Sequence, residues 1–276
     1  MRALTENDMS ASDGQWCLDE FATAELKDAR LNRRCGELAM QFAMQPSGPI
    51  NQACEDWADT KAAYRFFDND KVTPERIRAP HHQRTVERIT RHRQVLAVQD
   101  TSFLNYTHHP QTEGLGAIGN KSQHQRGLGM HTTLAMTTQG LPLGLLTQAF
   151  FTRPEDEPAH RPEECRKLPI EEKESYRWLQ AFEQTLTLAP PGVQVITVCD
   201  READIYEMFA FAQEQEASLL VRASSNRALL DDEVRKLWPK VEKQPTAGSL
   251  SVHISGNDKR KARQATVSVR FTAVTL

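Results

Sequence analysis

The chain has 276 residues, 39% hydrophobic and 26% charged, with 34 Lys and Arg against 37 Asp and Glu for a formal net charge of −3. These are average values for a globular protein and exclude disordered, collagen-like and membrane-spanning classes, since no apolar run reaches the ~18–20 residues of a membrane span. The opening residues MRALTENDMSASDG carry no apolar stretch behind Arg2, so a cytoplasmic location is expected.

Residues 15–90 read as helical, because apolar side chains recur three and four apart: Phe21, Leu26, Leu31, Leu38, Ala39 and Phe42, then Trp57, Ala58 and Tyr64. Two prolines and a glycine break the run at 45–49, and Thr73-Pro74 marks a helix start, a hydroxyl cap before a first-turn proline. Strands follow. Gln94–Gln99 is a short apolar run, and 129–151 holds two β-rich runs around Gln139-Gly140, the pattern of a hairpin. The proline-rich stretch 152–169 is expected to be an exposed loop, and Glu171–Leu188 a helix with Tyr176, Leu179, Phe182 and Leu186 on one face. Residues 193–199 are almost continuously apolar and predict a strand buried on both faces; 202–216 predict a helix and 218–223 a second strand parallel to the first. Beyond 230 the pattern turns β-like at 249–255 and 265–276, around the basic run 259–263. An antiparallel meander followed by a parallel crossover is the element order of the ribonuclease-H-like fold, an α/β architecture built on a mixed sheet.

The five cysteines, Cys17, Cys35, Cys54, Cys165 and Cys199, are odd in number and widely spaced, and no CxxC pair occurs. Reduced, mostly buried thiols are expected. His108, His109 and His124 have no carboxylate or cysteine at ligand spacing, so zinc is not expected.

Asp100 and Asp200 each follow an apolar strand. A carboxylate at a strand's C-terminal end lies on the rim of a sheet, where the backbone is fixed and the side chain reaches a cleft. In the ribonuclease-H-like arrangement the first and fourth strands are neighbours, so these two side chains are expected to meet. Such a pair suits Mg²⁺ or Mn²⁺, hard cations that prefer carboxylate oxygens. For either residue taken singly, an Asp that only caps a turn is the competing reading.

The words around these residues carry a resemblance. Asp200-Arg201-Glu202-Ala203-Asp204-Ile205-Tyr206 resembles the DREAD motif around the second catalytic aspartate of DDE transposases of insertion-sequence family four, the transposon-five type. Residues 96–106, LAVQDTSFLNY, are similar to that family's strand bearing the first aspartate. Residues 63–67 resemble its N-terminal DNA-binding region, 116–121 with 131–133 its first hairpin, and 172–175 its connecting segment, so the likeness runs from about residue 17 to the end. It implies a helical DNA-binding domain at 1–90, a ribonuclease-H-like catalytic core at 91–225 and the start of a β insertion at 226–276. It also implies Asp100 bridging two Mg²⁺ or Mn²⁺ ions, Asp200 binding one of them, and cut-and-paste transposition by phosphodiester hydrolysis and strand transfer. Arg201 is then a candidate for a DNA phosphate, with an internal salt bridge as the alternative, while Glu202 and Asp204 suit a helix start. The family's third carboxylate is a Glu in a Tyr/Arg/Glu/Lys signature on a later helix. No Tyr-x₂-Arg-x₃-Glu spacing follows Asp200, so the expectation is an N-terminal portion with an incomplete active site.

Duplex DNA at transposon ends is the expected partner, with a homodimer in the DNA complex left open and no membrane. Residues 60–93 hold nine Lys and Arg against four acids, and Arg84, Arg88 and Arg91 share a helix face suited to phosphates, or to plain solvation. Lys61, Arg65 and the 259–263 run, with Lys259, Arg260 and Lys261, complete the candidate DNA contacts. Two other readings stand beside the transposase: an inactive DNA-binding remnant or regulator that occupies transposon ends, and a metal-dependent nuclease of the same fold that cleaves without strand transfer.

Overall fold

The computed structural model describes residues 14–119, 124–153, 167–230 and 233–276. They form two compact units, the first running to Val221 and the second spanning Arg222–Leu276.

The first unit begins with five helices: α1 (Gln15–Glu20), α2 (Ala29–Met44), α3 (Ile50–Ala53), α4 (Trp57–Phe67) and α5 (Pro74–Ile89). Their ends follow local chemistry. Asp28, Asp56 and Thr73 are extended N-caps whose side chains accept from the backbone N–H of Arg30, Asp59 and Arg76, and Pro74 occupies the first turn of α5. Leu26, Cys35, Leu38, Ala63 and Phe66 close into one core, with Ile77 of α5 packed against it. Among the described residues no helix is long and apolar enough to cross a membrane.

A six-stranded sheet follows, from β1 (Gln94–Asn105), β2 (Gly116–Ile118), β3 (Gln125–Thr137), β4 (Pro142–Phe151), β5 (Gln194–Cys199) and β6 (Ser218–Val221). β3 pairs antiparallel with β1, β2 and β4, whereas β1, β5 and β6 run parallel. The order β4-β3-β1-β5-β6, three antiparallel strands and then two parallel ones, is the ribonuclease-H-like topology that the element order predicts. The crossovers are α6 (Tyr176–Leu188) and α7 (Tyr206–Glu214). Val95, Ala97, Ala135 and Val195 form a core with Ile89 of α5, and Cys199 packs with Trp178 and Phe182 of α6 and Met208 of α7. By the alternation of strands, Leu96, Val98 and Asp100 therefore face away from these helices.

Three local expectations change. The strand at 94–99 does not stop at Gln99 but continues through Asp100 to Asn105, because β3 is long enough to pair it that far, with Asp100 opposite Thr132. The helix expected from Glu171 begins at Tyr176, after a single 3₁₀ turn at Ile170–Glu172, and it buries Trp178, Ala181, Phe182 and Thr185. Trp178 sets that face by packing edge-on against His131. The helix expected over 202–216 is split into a 3₁₀ turn, Arg201–Ala203, and α7. The four described cysteines are free and buried, as expected, while Cys165 and most of the 152–169 stretch lie outside the described residues.

The second unit holds α8 (Leu237–Glu242) and an antiparallel pair, β7 (Gly248–Ile254) and β8 (Arg263–Val269). The sequence did not signal α8. Lys259, Arg260 and Lys261 are exposed at the tip between the two strands.

Candidate functional site

The parallel ladder of β1 and β5 runs from Gln94↔Gln194 to Val98↔Val198, an offset of 100 residues at every step. Asp100 and Asp200 lie two residues past its last rung, Asp100 still within β1 and Asp200 just beyond the end of β5, so they stand at the same level on neighbouring strands, which lie about 4.8 Å apart. Asp200 is still extended, with φ −82° and ψ −164°, and one of its carboxylate oxygens accepts from the Glu202 N–H at 2.8 Å, capping the 3₁₀ turn. Both aspartates are exposed. The capping role foreseen as the alternative for a strand-ending Asp therefore applies to Asp200, and it occupies only one oxygen.

The donors at this level of the sheet are of the oxygen type that a divalent cation takes. Two hard-oxygen donors stand side by side, and Thr132, opposite Asp100, has a buried hydroxyl with no hydrogen-bond partner among the described residues. Among the same residues no group of three or more His, Cys, Asp or Glu is gathered to hold a metal.

Behind the aspartates, on the helix side, is a dense polar layer that sequence reasoning missed. His131 on β3 is buried; its Nδ1 lies 2.9 Å from Thr101 Oγ1, and burial, with the charge of Arg177 added, pushes its imidazole down to about 4. It is neutral near pH 7. Gln99 is buried beside it, with its amide nitrogen placed to donate to the Trp178 carbonyl and its oxygen to accept from Phe182 N–H. Arg177 donates from Nε to Thr101 Oγ1 (3.2 Å), and through its terminal nitrogens to Glu174 (2.7 and 2.9 Å) and Glu202 (2.8 Å). Arg153 grips Glu174 with two bonds of 2.8 and 2.7 Å. Burial alone would raise the Glu174 carboxyl; Arg153 and Arg177 outweigh it and hold it below its ordinary value. Burial, with the charge of Asp200 added, pushes the Cys199 thiol up to about 12, leaving it an inert core group.

The candidate DNA contacts separate into two groups. Trp57, Lys61, Tyr64 and Arg65 are exposed on α4 at successive spacings of four, three and one that put all four on one side of the helix, and Lys61 Nζ lies 5.3 Å from the Trp57 ring centre. Arg91, Arg201, Lys259, Arg260 and Lys261 are exposed as well. Arg84 and Arg88 are engaged internally. Arg84 bonds Glu87 (2.9 Å) and the Asp19 carbonyl (3.3 Å). Arg88 holds buried Glu20 through both terminal nitrogens (2.7 and 2.8 Å) and donates from Nε to the Leu143 carbonyl. Of the three arginines expected to share one helix face, Arg84 and Arg88 tie α5 to α1 and to the edge strand, and Arg91 lies past the helix end at Ile89, exposed.

Glu20 also meets His81 Nδ1 at 2.6 Å, and His81 Nε2 accepts from the Leu145 N–H. Burial would raise the Glu20 carboxyl, but the hydrogen bonds and charge of Arg88, joined by His81, hold it below its ordinary value. A carboxyl whose pKa is lower in the folded chain than in the unfolded one, about 4.3 when unfolded, adds stability above that value and loses it as pH falls through the folded one. Melting temperature measured from pH 6 to pH 3 is therefore expected to fall more steeply for the parent than for Glu20→Gln. Parallel curves would show that Glu20 is not the acid-sensitive group.

Residues 13–72 match the transposase DNA-binding family. The match takes in α1 to α4 and the exposed row of Trp57, Lys61, Tyr64 and Arg65, and it stops short of α5. The crystal structure of the Mos1 strand transfer complex aligns with 81% of this chain and 60% of that one, at 11% identity and a TM-score of 0.25. The topology given above stands on this chain's own strand pairings.

Proposed function

We propose that the chain acts as a DNA transposase of the insertion-sequence-family-four type, gripping transposon-end duplex with its N-terminal helices and acting on phosphodiesters at the end of the sheet where β1 and β5 present Asp100 and Asp200. The observation that carries this reading is the constant offset of the β1–β5 ladder, which brings the two aspartates, one of them in the DREAD motif, to the same level on neighbouring strands. The match of 13–72 to a transposase DNA-binding family supports DNA as the partner.

Asp100 and Asp200 would hold Mg²⁺ or Mn²⁺. Such an ion, when bound, polarises a phosphate and lowers the pKa of water. The chain's own residues do the rest: Asp200 keeps one oxygen on the Glu202 N–H, which fixes its rotamer, and the exposed α4 row receives the duplex. Lys61 and Arg65 supply charge for phosphates, and Trp57 and Tyr64 supply flat apolar surface beside them.

A second reading, a DNA-binding protein that occupies transposon ends without cutting, is favoured by the match of residues 13–72, which takes in the N-terminal helices and neither aspartate. Strand cleavage of end-bearing duplex in Mn²⁺, present in the parent and absent in Asp200→Asn, would decide for the enzyme.

The DNA surface is tested by salt. Each phosphate contact contributes about 0.9 to the slope of log affinity against log salt, so Lys61→Glu with Arg65→Glu is expected to lower the slope by roughly 2. Duplex binding measured across a salt series gives this directly. An unchanged slope and affinity would move the interface away from α4.

A further inference from the structure

We infer that Arg177 is a positioning residue that holds the two aspartates together from behind the sheet; the inference rests on the reading of Asp100 and Asp200 as a cation-binding pair. The backbone ladder between β1 and β5 stops at Val98↔Val198, so the strands reach Asp100 and Asp200 beyond their last shared rung. Arg177 ties them at that level. Its Nε bonds the hydroxyl of Thr101, the neighbour of Asp100, and a terminal nitrogen bonds the carboxylate of Glu202, whose own N–H donates to the Asp200 carboxylate. One guanidinium therefore spans from the residue after the first aspartate to the turn that fixes the second.

The side chain is built for this. It is 12% exposed, stands in the first turn of α6, and lies with its guanidinium 5.1 Å from the Phe151 ring centre. Its other terminal nitrogen is anchored on Glu174, itself clamped by Arg153. The planar fork of Arg serves three directions at once, which the single ammonium of Lys does not reproduce. Arg177 lies on the helix side of the sheet and Asp100 on the other, so Arg177 acts on the cation through backbone placement.

Residues that orient the ligands of a metal typically contribute 10–100-fold to its affinity. The experiment is calorimetric titration of the full chain with Mn²⁺, alongside thermal melting, for the parent, Arg177→Ala, Arg177→Lys, Glu202→Gln and Asp200→Asn. The expected result is a rise of tenfold or more in the Mn²⁺ dissociation constant for Arg177→Ala, little recovery in Arg177→Lys, and a smaller rise in Glu202→Gln, an exposed change that leaves the fold intact. Should Arg177→Ala fail to fold, Glu202→Gln and Arg177→Lys carry the test. Parent-like Mn²⁺ affinity in the folded Arg177 variants and in Glu202→Gln would overturn the inference while leaving the aspartate pair standing. A parent that binds Mn²⁺ no better than Asp200→Asn does would overturn the pair, and the inference with it.

Discussion

Replacing Arg88 with Met is expected to lower the unfolding free energy by about 3 kcal/mol. Glu20 has 9% of its side chain exposed and Arg88 32%, and they share two hydrogen bonds across 68 residues of chain. Breaking one partner out of a buried ion pair costs roughly 3–5 kcal/mol, because the remaining charge stays desolvated and unpaired; the lower end applies here since a third of Arg88 is wet. His81 remains beside Glu20 and softens the loss only in part. The size of the effect matters, since a domain is held by only about 5–15 kcal/mol in all. Urea unfolding measures it. Pairing Arg88→Met with Glu20→Leu should restore part of the stability, because an apolar pair leaves no orphaned charge. A loss below about 1 kcal/mol for Arg88→Met would mean that the pair is solvated in solution.

Asp100→Asn and Asp200→Asn are each expected to weaken Mn²⁺ binding at least tenfold, or about 1.4 kcal/mol. Each substitution removes a charge and nearly preserves shape. Asn at 200 keeps an oxygen for the Glu202 N–H, so the cap survives, and Asp100 is exposed, so the fold is not at stake. Calorimetry with Mn²⁺ on both variants provides the check, and the two should behave alike because the ladder brings them to one level. If only one of them matters, the ion sits on a single strand and the shared site is wrong.

The aspartate pair was legible in the sequence because two strong signals coincide, a run of apolar residues ending in Asp and a motif at one of those ends. The sheet order was legible for a similar reason: hairpin and crossover leave different spacings between apolar runs. The length of β1 was not, since Asp100 and Ser102 interrupt its apolar pattern and only the partner strand β3 sustains the pairing to Asn105. Arg84 and Arg88 show a sharper limit. A count of charges treats every arginine on a helix alike, and nothing near Arg88 announces that Glu20, buried on another helix, has claimed it. Arg177 gave no sequence signal at all, because a start for its helix five residues too early moves it from the first turn into the interior of the helix, where an arginine reads as solvated charge.

Residues 90–93 alone separate α5 from β1, and the bonds of Arg88 to the Leu143 carbonyl and of Arg78 to the Gln148 carbonyl fasten that helix to the sheet. Ile77 of the same helix also packs into the core that carries α4. These contacts couple the surface proposed to grip duplex to the rim proposed to act on it, an arrangement that would let the protein serve as a ruler. A duplex held on α4 would then meet the aspartates at a set separation and a set azimuth. B-DNA turns once in about 10–10.5 base pairs, so a site displaced by a single pair arrives rotated by roughly 35° as well as shifted along the axis. The choice of where to cut would then be made by distance counted from the grip, with no need for the rim to read the bases it touches.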